Sequence, residues 1–499
     1  MKIITVVQST AKLNFIALSL ILLARTASAT TYYIDFQGGQ DSNDGRSMAK
    51  PWKHHPYMPN WLGAYSHSPG DRFVFRGSVK WDHTCWPLRI TAGGSPLQAD
   101  YYGADPAWFN GTAFQRPLFN AEFQANQIIV VSGTSYIRID NLELTGLMAD
   151  QDSGGNSSIY LSNSTYVNMT NLKVHNWNHS TAVVTNNGNF GGIYNNPGAG
   201  TPISGVVVDH CDIGDPENGG NQGSATRFIE TLSNSIIHDT SQGILHGGRY
   251  VFGNTFYNLG ATFDPAEHTN VTYLDQFNGR AESLSSGAII QIYNNIFYDN
   301  TASVGAVYAN YGTSGSSTMI NWYIYGNVVY SNASNCILLD PYNSPDGLMT
   351  NVYIWNNTCE IERATTAAIR VVSRPGTVPP TLLDVKNDHF VFDGSGYISC
   401  GGTTVCTLAS NIVMDHASAA AQGYTKQNRF APVAPTNATV RTGINLSSMC
   451  TAVPGLCSVT APLVAGAGLP RPSIGAWDIG SYIFMEGPDK PTGLRTIVH

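Results

Sequence analysis

A short pattern that recurs along most of the chain restricts the possible folds more than any other feature of the sequence. Each copy has β-forming residues, an asparagine, alternating apolar residues and a polar turn, as in YIRIDNLELTG and IYNNIFYDN. The asparagines of the eight clear copies are Asn141, Asn171, Asn234, Asn254, Asn295, Asn327, Asn357 and Asn411. With weaker copies at Cys211 and Asp388, successive spacings run from 20 to 41 residues. Loops of variable length on a repeated coil would produce this variation.

The residues of each copy indicate β-structure. Val, Ile, Tyr and Phe alternate with polar residues, no segment sustains a helical period, and prolines and glycines fall between the copies. A second strand-like segment recurs between the copies, as in SIYLSN ending at Asn163 and GAVYAN ending at Asn310. Two types of strand per period indicate a coil with several faces. We therefore predict an all-β chain that forms a right-handed parallel β-helix, a solenoid with N- and C-terminal caps.

The recurring asparagine is predicted to form a ladder along this helix. When asparagines stack in register, each side-chain amide can donate a hydrogen bond to one coil and accept one from the next. Asparagine also marks turns, but here it precedes an apolar triplet and lies outside the polar turn cluster. We therefore predict that all eight asparagines stack in one column on one side of the coil.

Three segments of the chain resemble secreted proteins of the pectate-lyase-like superfamily. They are TYYIDFQGGQDSNDGRSMAKPWKH (Thr31–His54), GDRFVFRGSVKW (Gly70–Trp81) and PSIGAWDIGSYIF (Pro472–Phe484). The resemblance is specific for architecture rather than for activity, since a fold does not fix a function. It implies a right-handed parallel β-helix. It also implies a protein that cleaves or epimerises an acidic polysaccharide, as the best-known members do, or that binds carbohydrate.

The chain is expected to form one domain behind a secretory signal peptide. Lys2 and Lys12 supply positive charge before an apolar run at residues 13–24, which is too short to span a bilayer. Ala27-Ser28-Ala29 supplies the small residues that a signal peptidase needs for cleavage. The predicted organisation is a signal peptide at 1–29, an N-terminal cap with the first coils at 30–133, regular coils at 134–416, a C-terminal cap at 417–484 and a linker-like tail at 485–499. We expect a secreted monomer, extracellular or periplasmic.

Charge and cysteine content narrow the possible partners and the compartment. Charged residues make up 12% of the chain and the net charge is −8, which argues against nucleic acid as a partner. No feature favours a membrane surface, so the expected partner is an extracellular polysaccharide. Eight cysteines fit an oxidising compartment. We predict the disulfides Cys400–Cys406 and Cys450–Cys457; the sequence leaves the partners of Cys85, Cys211, Cys336 and Cys359 open.

The distribution of charge suggests where a functional site lies. Residues 209–282 contain 13 Asp, Glu, Lys or Arg residues and four histidines, whereas residues 283–350 contain three acids and no lysine or arginine. The longest interval between repeats, after Asn254, holds two loops, at 260–268 and 278–287. Loops that emerge from one edge of a rigid coil can form the wall of a groove.

We predict that one groove near these loops contains seven ionisable residues. The catalytic candidates are His246, His268, Arg249 and Arg280, and the candidates for binding substrate or a metal are Glu267, Asp275 and Glu282. A lyase that acts by β-elimination needs a base and a cation that neutralises the uronate carboxylate. Histidine suits the first role because it is largely neutral at pH 7, and arginine suits the second. His238 is expected to be a structural turn residue.

Three functions remain open from the sequence. The first is a lyase for an acidic, uronate-containing polysaccharide. In one version of this function, one of the acids holds Ca²⁺. The second is a glycoside hydrolase, which would need paired carboxylates such as Glu267 with Asp275 or Glu282. The third is a non-catalytic carbohydrate-binding or surface protein. The segment Asp41 to Gly45 superficially resembles a calcium loop but lacks the full ligand spacing.

Overall fold

Three long sheets of parallel strands wind around one apolar core and form a right-handed parallel β-helix. The prediction of the fold is therefore confirmed. The structure is a computed structural model. It describes residues 29–149, 155–179, 190–198, 203–218, 223–260, 269–274, 288–302, 304–310, 320–341, 349–362, 367–394, 396–466 and 468–485.

Each complete coil contributes one strand to each of three sheets, which we call sheets A, B and C in the order in which the chain visits them. Sheet A consists of Leu88–Ile90, Gln127–Ser132, Ser157–Ser162, Gly191–Asn196, the first halves of Ser224–Ser233 and Gln242–Phe252, Asn270–Leu274, Val307–Asn310, Ile337–Asp340, Ile369–Val371 and Ile398–Ser399.

Sheet B begins near the N-terminal end of the described chain. It consists of Thr31–Ile34, Arg72–Gly77, Asp100–Phe109, Ser135–Asp140, Thr165–Thr170, Val207–Asp209, the second halves of Ser224–Ser233 and Gln242–Phe252, Ala288–Tyr293, Ile320–Tyr325, Met349–Trp355, Leu382–Lys386 and Val405–Ala409. The strands Ser224–Ser233 and Gln242–Phe252 each run without interruption from sheet A into sheet B.

Sheet C is made of shorter strands. They are Lys80–Trp81, Leu118–Asn120, Glu143–Thr145, Lys173–Val174, Asp212–Gly214, Ile236–His238, Thr255–Tyr257, Ile296–Asn300, Val328–Asn332, Thr358–Ile361, His389–Phe392 and Ile412–Met414. Outside the three sheets lie the parallel pair Leu147–Ala149 and Trp177–His179, the antiparallel pair Ser458–Val459 and Leu469–Pro470, the helix His416–Ala421 and the 3₁₀ turns His83–Cys85, Pro216–Asn218, Lys426–Asn428, Ser447–Met449 and Pro454–Cys457. No described helix is long and apolar enough to cross a membrane.

The recurring asparagine of the sequence lies in the turn between sheets B and C, which has two residues in ten successive coils. The first residue of this turn has a left-handed backbone, with φ between 49° and 70°. Its side chain, where it has one, lies outside the core of the coil; Asn294, Asn356 and Asn387 are buried there by the C-terminal segment. Asn, Gly, His or Ser occupies this position, as expected for residues that tolerate such a backbone. The second residue points into the core.

The predicted single column is wrong, because the eight asparagines divide between these two positions. Asn254, Asn295, Asn327 and Asn357 occupy the second position and are buried, and Asn411 occupies the same position and is half-buried. Asn141, Asn171 and Asn234 occupy the left-handed first position, with φ of 57°, 54° and 49°. In these three coils the buried position holds Leu142, Leu172 and Ser235. A one-residue offset moves a side chain from the core to the solvent side, and the repeated letter pattern did not resolve it.

The buried asparagines form the amide ladder, which comprises Asn254, Asn295, Asn327, Asn357, Asp388 and Asn411. Each amide nitrogen from Asn254 to Asn357 donates to the side-chain oxygen of the next member, over 2.9–3.0 Å. The same oxygen also accepts the backbone N–H of the preceding member. The ladder thereby satisfies backbone groups that would otherwise be buried without partners.

The C-terminal segment folds back along the corner between sheets B and C. It is held there by left-handed turn residues: Asn294 donates to Thr460, Asn356 to the Asp478 carbonyl, and Asn387 exchanges two hydrogen bonds of 2.8 Å with the backbone of Ile444. Both predicted disulfides, Cys400–Cys406 and Cys450–Cys457, are formed. A third disulfide joins Cys336 and Cys359 across the interior, while Cys85 and Cys211 are buried thiols.

Candidate functional site

Long connections in the chain join sheet A to both other sheets. Residues 215–223 and 258–269 connect strands of sheet C to strands of sheet A, and residues 275–287 and 341–348 connect strands of sheet A to strands of sheet B. The corner between sheets B and C has two-residue turns in ten successive coils and a longer connection, 110–117, nearer the N-terminal end. Binding residues are often found where long connections leave a rigid scaffold, so the outer face of sheet A is the candidate for a binding site.

A row of aromatic rings runs along this face parallel to the helix axis. We call it the ring row; its members are Tyr160, Tyr194, Phe228, His246, Tyr273 and Tyr308. Neighbouring rings lie 4.9–6.4 Å apart between centroids. Asn310 donates to the hydroxyl groups of Tyr273 and Tyr308, and Asn196 donates to that of Tyr160. The row thus combines apolar ring surface with fixed hydroxyl groups, which suits the two kinds of surface that a sugar presents.

The middle of the ring row carries an arginine and a histidine. Strand register places Arg227 in the same outward column as Tyr160 and Tyr194. Its guanidinium carbon lies 4.9 Å from the ring centroids of both Tyr194 and Phe228. The Phe228 ring also stacks on His246 at 5.1 Å. Phe228 therefore contacts a cation on its own strand and an imidazole on the next strand.

Phe228 and His246 reach this face because of their backbone conformation. They occupy the register position of Leu274 in the next strand, and the side chain of Leu274 belongs to the core. Left-handed φ values of 51° and 63° remove the usual alternation and bring both rings into contact with outward tyrosines. Such backbone conformations are costly for residues other than glycine and often occur at functional sites.

Two glycines complete this bend. Gly247 and Gly248 follow His246 with φ of 88° and 81°. A Cβ on Gly247 would lie 2.7 Å from the Ile229 carbonyl oxygen, and one on Gly248 would lie 2.7 Å from a Leu274 methyl carbon. Both positions therefore require glycine, and the His-Gly-Gly bend replaces the turn that separates sheets A and B in most other coils.

Arg249 lies beyond the bend, at the corner toward sheet B. Its guanidinium is 3.6 Å from the Glu230 carboxylate, donates to the Ile289 carbonyl and stacks over Tyr250 at 5.1 Å. The prediction placed Arg249 beside His246 as a possible cation for a uronate. The structure places Arg227 closer to the ring row. Sequence reasoning missed Arg227 because it considered only loops and strand ends, although Arg227 lies within the charged stretch 209–282.

The other predicted site residues, Glu267, His268, Asp275, Arg280 and Glu282, lie outside the described residues. Their roles stay predictions. The described parts of the chain contain no group of three or more His, Cys, Asp or Glu residues that could hold a metal ion. In the segment that resembles a calcium loop, one Asp41 oxygen accepts the backbone N–H groups of Lys53 and His54 and the other bonds the His54 ring. Its carboxylate therefore holds a turn, and this segment does not fit calcium.

A second ionisable cluster lies on the outer face of sheet C and has a structural explanation. His238 bonds Asp239 through Nδ1 at 2.6 Å and Asp212 through Nε2 at 2.8 Å, and its ring stacks on Tyr257. Burial alone would lower the pKa of His238, but these two carboxylates raise it to about 9. His238 is thus a charged, fully bonded side chain at pH 7.

Comparisons with known proteins give structural similarity only. No family model matches the chain, and no curated protein matches it. The pectate lyase Pel9A is 13% identical, with 92% of this chain and 98% of that chain covered and a TM-score of 0.42. A rhamnogalacturonan lyase is 13% identical, with 77% and 87% covered and a TM-score of 0.42. The GH136 lacto-N-biosidase from Eubacterium ramulus is 14% identical, with 77% and 67% covered and a TM-score of 0.39. The fold assignment rests on this chain's own strand pairing.

Proposed function

We propose that this chain is an exported polysaccharide lyase that cleaves a uronate-containing polysaccharide on the outer face of sheet A. His246 acts as the base and Arg227 neutralises the uronate carboxylate. The observation that carries the proposal is that both side chains, from adjacent strands, lie within about 5 Å of the Phe228 ring centroid. One outward face thus offers both groups that a β-elimination requires.

Arg227 is suited to bind a carboxylate in this position. Its guanidinium carbon lies 4.9 Å from the centroids of two aromatic rings, which restrict the position of the cation on this face. A planar fork of donors matches a carboxylate. Removal of the proton α to the uronate carboxylate develops negative charge that is delocalised onto this carboxylate. Because Arg227 neutralises the carboxylate, the added charge is stabilised and the α-proton becomes more acidic.

His246 is suited to remove that proton. Its side chain is 8% exposed and lies between the rings of Phe228 and Tyr273. The stacked rings restrict the imidazole to one orientation, which places a base close to a bound sugar at low entropic cost. The electron pair of the broken C–H bond forms the new double bond, and the C–O bond to the leaving sugar breaks. The departing oxygen takes up a proton from the His246 imidazolium or from water, and the rest of the chain leaves as an alcohol. Tyr194, Tyr273 and Tyr308 supply stacking surface for neighbouring sugar residues.

Export is part of this proposal. Three disulfides in the described chain are consistent with folding in an oxidising compartment. The predicted signal peptide lies almost wholly outside the described residues, so N-terminal sequencing of the protein recovered from the medium or periplasm is its direct check. A mature N-terminus at Thr30 is the expected result.

A depolymerisation screen tests the activity. The mature protein is incubated with uronate-containing and neutral polysaccharides, and each reaction is followed by ultraviolet absorbance of unsaturated products and by reducing ends. We expect both signals to rise together, and only with uronate polymers. Reducing ends without ultraviolet absorbance would instead support the hydrolase alternative. Binding without any product would support a carbohydrate-binding protein.

A further inference from the structure

A second candidate site lies on the outer face of sheet B, in the first coils of the β-helix. On this face Tyr101 lies in register between Arg72 on one neighbouring strand and Arg138 on the other. The guanidinium carbon of Arg72 is 4.2 Å from the centroid of the Tyr101 ring, and that of Arg138 is 5.7 Å from it. We call Arg72 and Arg138 the arginine pair. Two strand spacings separate its backbone positions by ~10 Å along the helix axis.

The arginine pair is exposed and has capacity to bind an anion. Arg72 forms no hydrogen bond or ion pair through its guanidinium with the residues that the structure describes. Arg138 is 50% exposed and forms an ion pair with Asp140, with 3.2 Å between Nη2 and Oδ2. The Asp140 carboxylate also accepts hydrogen bonds from Thr170 at 2.6 Å and from Asn171 at 2.9 Å. Two guanidinium groups thus share one carboxylate that other donors already bond, a balance that favours an anionic ligand.

Two stacked tyrosines lie beside the arginine pair, at the corner where sheet A leads into sheet B. Tyr136 and Tyr166, which we call the tyrosine pair, have ring centroids 4.8 Å apart and an interplanar angle of 7°. Tyr136 lies two residues before Arg138 on the strand Ser135–Asp140, and Tyr166 is 47% exposed. Both tyrosines have a left-handed backbone, with φ of 61° and 53°. Bulky residues seldom adopt this conformation, and such strain is concentrated at functional sites.

This part of sheet B is open to solvent, whereas its later coils are covered. There, Leu446 and Trp477 of the C-terminal segment belong to one apolar cluster with Tyr325 of sheet B. In the first coils the arginine pair is exposed, and so is Asn168, which lies opposite Arg138 in register. The cations, the tyrosine pair and an amide are therefore accessible on one stretch of the face.

The groups on this stretch together match an acidic sugar chain. A guanidinium fork matches a carboxylate, a tyrosine ring covers the apolar side of a sugar, and an amide bonds a hydroxyl group. Two cations ~10 Å apart suit a ligand that carries several carboxylates along its length better than a single small anion. The occupant that fits is a segment of a uronate polymer.

We propose that the outer face of sheet B binds a segment of uronate-containing polysaccharide at a non-catalytic site separate from the ring row. The arginine pair binds two carboxylates, the tyrosine pair stacks on a sugar ring, and Asn168 bonds a hydroxyl group. The choice of a uronate polymer rests on the proposed function, whereas the place of the site rests on sheet B alone. Such a site keeps the polymer attached to the protein between cleavage events.

Equilibrium titration of the full mature chain carrying His246→Ala tests the site, because this variant is expected to bind substrate without cleaving it. The probes are trimers of galacturonate and of mannuronate, with maltotriose as the neutral probe. We expect at least one uronate trimer to occupy two sites per chain, one at the ring row and one on sheet B. Maltotriose should bind ~10-fold more weakly or not at all, since it lacks the carboxylates.

Variants in this background assign each site to its residues. Arg72→Met combined with Arg138→Met should weaken one of the two sites ~10²-fold, because both charge-assisted contacts are lost. Arg227→Met should weaken the other site and leave the first unchanged. Arg46→Met combined with Lys50→Met removes two exposed cations near the same end of the chain, so it is the matched control and should retain both sites.

Tyr166→Asn tests the tyrosine pair, because asparagine tolerates the left-handed backbone and removes the ring. It should weaken the sheet B site ~5-fold or more. Circular dichroism and thermal unfolding confirm that each variant is folded. The proposal is refuted if the arginine-pair variant keeps both sites, if the matched control loses as much binding, or if maltotriose binds as tightly as the uronate trimers.

The titration also separates this proposal from the proposed function. A single site that the arginine-pair variant removes and Arg227→Met leaves intact would support the site on sheet B and count against the ring row. A single site that only Arg227→Met removes would support the ring row and refute the site on sheet B.

Discussion

The ring row and the amide ladder are both columns of stacked side chains, but they differ in how uniform they are. The amide ladder repeats one residue type from Asn254 to Asn357, and every member bonds the next. The ring row begins and ends with tyrosines, and its middle contains Phe228 and His246 on a left-handed backbone, with Arg227 beside Phe228. Only the ladder is buried in the core of the helix.

This difference indicates which column carries stability and which carries function. A uniform buried column satisfies backbone groups, so each member does the same structural work in its own coil. The ionisable pair Arg227 and His246 interrupts an outward column and does not repeat from coil to coil. Its left-handed residues also cost free energy, so another role must explain them. The variants below test this division.

The largest effect is expected from removing the proposed base. His246→Ala should lower turnover of a uronate polymer by ~10²–10⁴-fold, because the base is lost while the coil is retained. His238→Ala is the matched control and should keep its turnover, since His238 bonds only structural carboxylates. The measurement is initial ultraviolet rates with both variants. Equal rates for His246→Ala and the unaltered protein would remove the histidine from the mechanism.

Arg227→Met should have the next largest effect. Loss of one group that stabilises developing negative charge costs ~10²-fold in turnover, and here the loss should fall mainly on kcat. Arg370 lies in the same outward column on a later strand, so Arg370→Met is a closely matched control. Arg227→Lys should restore part of the rate because it keeps the charge. If Arg370→Met impairs cleavage as strongly as Arg227→Met, general charge and not this position is responsible.

Within the amide ladder the expected effect is on stability. Asn327→Ala removes hydrogen bonds to Ile292 O and Asn357 and leaves the Asn295 amide without its acceptor. The free energy of unfolding should fall by roughly 3 kcal/mol. Asn141→Gly, in the solvent-side position, should change it by less than about 1 kcal/mol, since glycine adopts the left-handed backbone freely. Urea unfolding of both variants checks this, and similar losses would contradict the two-column structure.

Asp388→Asn should produce the smallest effect and in the opposite direction. Burial raises the pKa of Asp388 well above its usual value, and its Oδ2 atom has no partner among the described residues. A carboxyl group whose pKa is higher in the folded protein than in the unfolded chain lowers the free energy of unfolding as the pH rises above its unfolded pKa of about 3.9. The reason is that the unfolded chain releases the proton at a lower pH than the folded protein does. Asparagine avoids this loss and should stabilise the protein by about 1 kcal/mol at pH 8.

The gain from Asp388→Asn should shrink as the pH falls toward 4, where the carboxyl is protonated in both the folded and the unfolded state. Urea unfolding of the two proteins across this pH range is the measurement. A constant difference at all pH values would show that Asp388 does not titrate on folding.

Two of the seven predicted site residues lie in the described part of the chain. His246 and Arg249 are described, whereas Glu267, His268, Asp275, Arg280 and Glu282 are not. The contrast in charge drew attention to residues 209–282, and both proposed groups, Arg227 and His246, lie within that stretch. Whether the stretch holds a functional site stays a prediction. The sequence could not indicate which of Arg227 and Arg249 lies beside the ring row, because the two side chains lie on different sides of the His-Gly-Gly bend. The bend itself depends on left-handed backbone conformations that the repeat pattern does not reveal.

By itself, the sequence determined the coil, because apolar alternation at recurring positions can be buried only if strands stack in parallel. It also determined the two short-range disulfides, since their cysteines are close in the chain. Only the tertiary structure decided which asparagines enter the core, the pairing of Cys336 with Cys359, and the meeting of Arg227, Phe228 and His246. Each of these depends on register between coils, and a shift of one residue reverses the direction of a side chain without altering the repeat pattern.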